Sequence, residues 1–126
     1  MRILANRFWN DTECDLVSGV TYRVGWKLLS PWMDNDIASD PGMGNLSEPL
    51  LLRLFAFTKR CRSAPFLALI GCVDRRKDTY VRLIDGKEFT ASRSGRFWVF
   101  ANDTPLAPFY ANNRGELDLS ITPLDA

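Results

Sequence analysis

The amino-acid sequence predicts an all-β fold, a β-sandwich of about eight strands. Apolar and polar residues alternate with a period of two along much of the chain, and the apolar segments are short and separated by turn-forming residues. No repeat, low-complexity tract or internal linker interrupts this pattern, and a chain of 126 residues fits one domain, 1–126.

The clearest strands are the segments 20–28 and 116–122. In the first, an apolar residue stands at every second position from Val20 to Leu28; in the second, Leu117 and Leu119 alternate with polar residues. Successive side chains of a strand point to opposite faces, so this spacing gives each strand one apolar face.

The segments 65–73 and 95–102 are apolar on both faces, which is typical of central strands covered on two sides. Trp98 lies within the second of them and is predicted to be a core residue. The segment 49–58 fits either a strand or a helix; Pro49 at its start and its aromatic end favour a strand.

Two short strands, 79–84 and 87–91, are predicted on either side of the turn signal Asp85-Gly86. The longest irregular stretch is 30–49, rich in Pro, Gly, Asn and Asp, and a loop of that length in a compact domain is usually functional or mobile.

The charge balance does not favour nucleic acid or an anionic membrane as a partner. Sixteen basic and fifteen acidic residues give a formal net charge of +1. The two short basic clusters, 59–62 and 75–77, are interpreted as solvated strand ends rather than a phosphate-binding patch.

No apolar run approaches the ~20 residues that span a bilayer, and the N-terminus lacks the apolar core of a secretory signal. A cytoplasmic or non-classically exported protein is expected. Met1 could equally begin a domain cut from a longer chain.

The residue types disfavour an enzyme. Histidine, the commonest general base, is absent. The acids Asp34, Asp36 and Asp40 share one loop without a recognised partner, and there is neither a nucleophile elbow nor a phosphate-binding glycine loop. The cysteines, Cys14, Cys61 and Cys72, are expected to be reduced core thiols, with a Cys61–Cys72 bridge as the alternative in an exported chain.

A candidate metal site lies in the segment 101–115, ANDTPLAPFYANNRG. Asp103 offers a carboxylate, and Asn112 and Asn113 offer neutral side-chain oxygens, the ligand types that calcium prefers. The same residues also suit a simple tight turn. Asp34 and Asp36 could add charge to such a site or merely solvate their loop.

The segment 94–121, SGRFWVFANDTPLAPFYANNRGELDLSI, resembles the C-terminal signature of the PA-IL-like galactophilic lectins. The matching features are Asn102-Asp103, the later Tyr-x-Asn-Asn-x-Gly from Tyr110 to Gly115, and the alternating last strand. The segment 64–71, APFLALIG, resembles an upstream strand of the family. The resemblance implies a jelly-roll β-sandwich, of the galactose-binding-domain-like type, that binds galactose through calcium.

Transferred by position, the resemblance implies calcium ligands from the side chains of Asp103, Asn112 and Asn113. It also implies one carbonyl ligand from Phe109 and one near Pro31 or Trp32. The loop after Asp103 is about two residues longer than in the family. The family's sugar-contacting His and Gln have no counterpart, so the resemblance implies calcium more strongly than a preference for galactose.

The leading hypothesis is therefore a calcium-dependent carbohydrate-binding module without enzymatic activity, with a homo-oligomer and a part of a larger chain as the two open alternatives for its assembly. Tyr110, Trp32 and Arg114 are the further candidates for ligand contact, with Trp32 as a platform for a sugar ring. The alternative is a non-catalytic accessory or targeting domain of a larger secreted or effector protein, with no sugar binding.

Overall fold

A computed structural model describes residues 1–34, 37–45 and 58–124, and it is nearly all β. Two antiparallel sheets pack on a shared apolar core, which confirms the predicted all-β sandwich. The predicted strand 49–58, apart from Thr58, and Asp36 lie outside the described residues.

The first sheet has the strand order β1-β10-β3-β4-β5, with β8 paired to β3. Its strands, in chain order, are β1 (Arg2–Leu4), β3 (Thr21–Asp34), β4 (Ile37–Asp40), β5 (Gly44–Asn45), β8 (Glu88–Thr90) and β10 (Asn113–Pro123). The pairing of β3 with β10 is the longest in the fold and forms the centre of this sheet.

The second sheet has the strand order β2-β9-β6-β7. Its strands are β2 (Asn10–Leu16), β6 (Leu69–Val73), β7 (Val81–Arg82) and β9 (Gly95–Ala101). A single turn of 3-10 helix, Lys77–Thr79, and a short helix, α1 (Ala107–Ala111), complete the described elements.

The core forms where the apolar faces of the two sheets meet. Leu117 and Leu119 of β10 face inward as the alternation predicts, and Phe97 and Val99 of β9 are buried opposite them. A second, smaller cluster containing Ile70, Phe100, Trp9 and Tyr80 covers the outer face of the second sheet. Both faces of β6 and β9 are therefore covered, which explains their continuous apolar sequence.

Three local predictions are wrong. Residues 30–49 are not one irregular loop, because β3 continues to Asp34 and β4 and β5 follow. The turn at Asp85-Gly86 does not close a hairpin, because β7 pairs with β6 in one sheet and β8 with β3 in the other. Trp98 is only partly buried, since its side chain lies on the outer face of the second sheet, beside Trp9.

All three cysteines are free thiols; Cys72 is buried, and Cys14 and Cys61 are partly buried. The alternative Cys61–Cys72 bridge is thus not formed. Within 1–34, 37–45 and 58–124, no helix is long and apolar enough to cross a membrane.

Candidate functional site

The structure brings Asp34, Asp103 and Asn113 together from three separate segments. Asp34 ends β3, and the β3–β10 register pairs it with Asn113, the first residue of β10. Asp103 follows the end of β9, and the carboxylate of Asp34 and the amide of Asn113 lie close enough to influence its titration. The sandwich thus concentrates two carboxyl groups and one amide at this point.

Two oxygens in this group are buried without a hydrogen-bond partner among the described residues: Oδ2 of Asp103 and Oδ1 of Asn113. Both side chains are about 1% exposed. The other Asp103 oxygen accepts a hydrogen bond from the backbone N–H of Thr104 at 2.7 Å, and Nδ2 of Asn113 donates to the Ala5 carbonyl at 3.2 Å. Buried polar atoms normally have partners, so this pair needs a physical explanation.

Burial raises the pKa of Asp103 to about 6. The N–H of Thr104 and the amide of Asn113 lower this pKa, and the nearby Asp34 carboxyl raises it. Burial also raises the pKa of Asp34 above its ordinary value. Without a compensating cation, the fold therefore disfavours the charged form of both carboxyl groups.

This donor set fits a hard cation, because all its free ligand atoms are oxygens. Calcium takes six to eight oxygens, from carboxylates, amides, carbonyls and water. In the described part of the chain, no group of three or more Asp, Glu or Cys residues is placed to hold a metal ion. Two carboxylates and one amide supply only part of a coordination shell, and backbone carbonyls, water or a ligand would have to supply the rest.

The remaining predicted ligands lie on or beside α1. Asn112 is exposed and ends the helix, where its N–H donates to the Tyr110 carbonyl. Phe109 lies within the helix, in a segment for which the sequence suggests only a turn-rich loop. Arg114 is exposed next to the buried Asn113. The metal-binding roles of Asn112 and of the Phe109 carbonyl remain predictions.

Trp32 and Tyr110 are buried, which contradicts their predicted contact with a ligand. Trp32 is 1% exposed, and its indole N–H donates to the Leu67 carbonyl at 2.8 Å, so its ring is part of the core and not a sugar platform. Tyr110 is 3% exposed, and its hydroxyl donates to the Ala101 carbonyl and accepts from Arg60. A ligand cannot reach either ring at the surface.

The backbone near Trp32 does approach the asparagine segment. A Cβ atom on Gly115 would lie 2.7 Å from the Pro31 carbonyl oxygen and 2.9 Å from the Trp32 Cα. Gly115 has φ +128°, a conformation that favours glycine. The glycine of the Asn-Asn-Arg-Gly sequence is therefore needed for the close contact between β3 and β10.

Sequence reasoning left the role of Asp34 open and did not bring the two basic clusters together. The position of Asp34 depends on the pairing of β3 with β10, which lies about 80 residues further along the chain. The sequence around Asp34 carries no signal for that pairing. Residues of both basic clusters line one cavity on the surface. Comparison with protein-family models and with curated proteins found no match for this chain.

Proposed function

We propose that this domain binds calcium at Asp103 and Asn113 and uses the bound ion to recognise a carbohydrate. The observation that carries the proposal is the pair of buried, unpaired oxygens on these two side chains. A cation would satisfy both at once, and the residue types are those implied by the resemblance to the calcium-dependent lectins.

The energetics support a cation at this point. A buried polar group without a partner costs about 1–3 kcal/mol, and more if it is charged. Calcium would favour the ionised form of Asp103, and Asp34 would add a second negative charge nearby. Asp103, Asn113 and Asp34 would then hold the ion, with Asn112 at the exposed edge as a further oxygen donor.

Exposed residues next to the buried Asn113 support the proposed recognition of a carbohydrate. Asn112 and Arg114 flank Asn113 and are both exposed. A calcium ion with few protein ligands retains positions that sugar hydroxyls can fill, and Arg114 can donate hydrogen bonds to those hydroxyls. Because the family's His and Gln contacts are missing, we expect no clear preference for galactose.

A second candidate, an accessory domain without sugar binding, is favoured by the depth of the site. Asp103 and Asn113 are each about 1% exposed, so an ion held by both could be enclosed and only stabilise the fold. An ion that binds only the folded state stabilises it by RT ln(1 + [L]/Kd). The accessory domain would have the same metal site as the lectin and would differ only in binding no carbohydrate.

Calcium binding is tested by measuring the melting temperature at increasing calcium concentrations and by calorimetric titration with calcium. Calcium should raise the melting temperature of the natural protein, and Asp103→Asn, which keeps the shape and removes the charge, should abolish the rise. Asp15→Asn is the matched control, because Asp15 is an exposed residue of β2. A full calcium response in Asp103→Asn would show that the ion binds elsewhere.

A glycan array, run with and without chelator, tests whether the domain binds carbohydrate through calcium. Binding in calcium that chelator removes, and that Asn112→Ala weakens, supports the lectin function. We expect weak monosaccharide affinity, with Kd of ~1 mM. If the protein binds calcium but no glycan on the array, the accessory domain is favoured. If glycan binding persists in chelator, another surface of the domain binds the carbohydrate.

A further inference from the structure

The two basic clusters of the sequence meet at one cavity on the outer face of the second sheet. The cavity has a volume of about 730 Å³, within the range of small-molecule sites. Five basic residues line it: Lys59, Arg60, Arg62, Arg75 and Lys77. No aspartate or glutamate is among its described lining residues.

These five cations are not neutralised within the described part of the chain. None of them forms an ion pair with a carboxylate there, whereas other arginines, such as Arg23 and Arg76, do. Arg62, Arg75 and Lys77 are exposed at the cavity. A concentration of unneutralised positive charge in a concave site attracts anions, although the net charge of the whole chain is only +1.

Arg60, one of the five, is held in place by aromatic rings and hydrogen bonds. Its guanidinium lies 3.5 Å from the ring centre of Phe100, 3.9 Å from Phe8 and 4.3 Å from Trp9. One nitrogen, Nη1, donates to the Phe8 carbonyl and the Tyr110 hydroxyl, and the other, Nη2, is buried without a hydrogen-bond partner among the described residues. The aromatic rings thus fix a positive charge that has no anionic partner.

The cavity also offers an apolar wall. Phe8 is 41% exposed and meets Trp9 edge to face, and both rings line the cavity together with Tyr80. Exposed aromatic rings next to guanidinium groups suit a ligand with a flat or ring-shaped part.

The turn that carries Arg75 is conformationally unusual. Asp74 and Arg75 have φ of +52° and +57°, values that are uncommon for residues other than glycine. This turn places the Arg75 guanidinium 4.6 Å from the ring centre of Trp98, at the edge of the cavity. Such backbone conformations cluster at ligand sites.

We propose that this cavity binds a phosphate monoester of a small ring compound, a sugar phosphate or a mononucleotide. The phosphate would pair with the guanidinium and ammonium groups, and the ring would pack on Phe8 and Trp9. A phosphate monoester carries up to two negative charges near neutral pH and suits the guanidinium fork. Five cations line this one cavity while the whole chain carries a net charge of only +1, which favours a small ligand over a nucleic-acid polymer.

The test is calorimetric titration of the full chain in chelator, so that calcium plays no part. The probes are glucose 6-phosphate, AMP, glucose, adenosine, inorganic phosphate and a short oligonucleotide. We expect one or both esters to bind, and glucose, adenosine and inorganic phosphate to bind at least about tenfold more weakly. Binding of one ester alone would identify the sugar or the nucleoside as the preferred ring.

The variant is Arg62→Gln/Lys77→Gln, since both side chains are exposed. It should lower the affinity for the ester at least about tenfold, and Lys87→Gln, an exposed cation on the β7–β8 connection, should leave it unchanged. Unchanged affinity in the double variant would overturn the proposal. So would the failure of both esters to bind, equal binding of inorganic phosphate, or binding of an oligonucleotide but not of AMP.

Discussion

The Asn102 side chain pairs with the backbone of Cys61 as a second peptide group would. Its oxygen accepts from the Cys61 N–H at 2.9 Å, and its amide nitrogen donates to the Cys61 carbonyl at 2.8 Å. The same nitrogen lies 3.0 Å from the carbonyls of Ala64 and Pro65. The asparagine of the Asn-Asp sequence therefore fastens the loop that carries Arg60, while its neighbour Asp103 faces Asn113.

Removing this side chain should destabilise the fold strongly. Asn102→Ala leaves four buried or partly buried backbone groups without this partner, and we expect a loss of roughly 3 kcal/mol in the free energy of unfolding. Urea denaturation in chelator measures it. Asn112→Ala is the control, because Asn112 is exposed and should cost less than about 0.5 kcal/mol. Equal losses in both variants would contradict the role of Asn102.

The stability of the metal-free protein should fall as the pH rises through the titration of Asp103. Burial raises its pKa from 3.8 to about 6, so the folded state holds the proton more tightly than the unfolded state. This contribution is fully present below pH 4 and is lost as the pH approaches and passes 6. Relative to Asp103→Asn, the loss should reach the order of 3 kcal/mol. Urea denaturation in chelator between pH 4 and pH 7.5 measures the difference.

Calcium should reverse this trend, because the ion binds the deprotonated carboxylate. We expect the calcium-induced rise in melting temperature to be large at pH 7.5 and small at pH 5, with proton release on binding near pH 6. Calorimetry in two buffers of different ionisation enthalpy measures the released protons. A calcium effect of the same size at pH 5 and pH 7.5 would exclude Asp103 as a ligand.

Gly115→Ala should be more costly than Gly86→Ala. Both glycines have positive φ, but an added Cβ at Gly86 meets no atom within 4 Å, whereas at Gly115 it would collide with Pro31 and Trp32. We expect a loss of about 1 kcal/mol for Gly86→Ala from backbone conformation alone, and roughly 3 kcal/mol for Gly115→Ala. Comparable urea midpoints for the two variants would show that β3 and β10 can separate without cost.

Trp32→Phe should lower stability without changing any ligand binding. The substitution removes the hydrogen bond to the Leu67 carbonyl and leaves a small cavity, at a cost of roughly 2 kcal/mol. Trp98→Phe should cost less, because Trp98 is only partly buried. A loss of glycan binding in folded Trp32→Phe, in calcium, would restore Trp32 as a contact residue.

The sequence alone determined the fold class and the central strands. Alternation from Val20 to Trp26 and at 116–122 marked the inward faces of β3 and β10, because a strand with one buried face must repeat its apolar residues every two positions. Leu28, predicted on the same face, is 43% exposed. The edge strands β1 and β2 carried no such signal. β2, for example, has the polar sequence Asn-Asp-Thr-Glu-Cys-Asp-Leu; its buried residues Asn10 and Thr12 are polar and donate side-chain hydrogen bonds to the carbonyls of Val99 and Phe97, so its inward face shows no apolar alternation.

The local sequence also singled out Asp103 and Asn113, since both lie within one short segment of suitable chemistry. Only the tertiary structure decided that Asp34 joins them, that Trp32 is buried, and that the two basic clusters line one cavity. Each of these depends on pairing or packing between residues far apart in the chain. The β3–β10 register positions Asp34, and the contact of β3 with the loop before β6 buries Trp32. The residues that cover the outer face of the second sheet bring the basic clusters together. Periodicity reports which face of a strand is buried, but not which distant segment covers it.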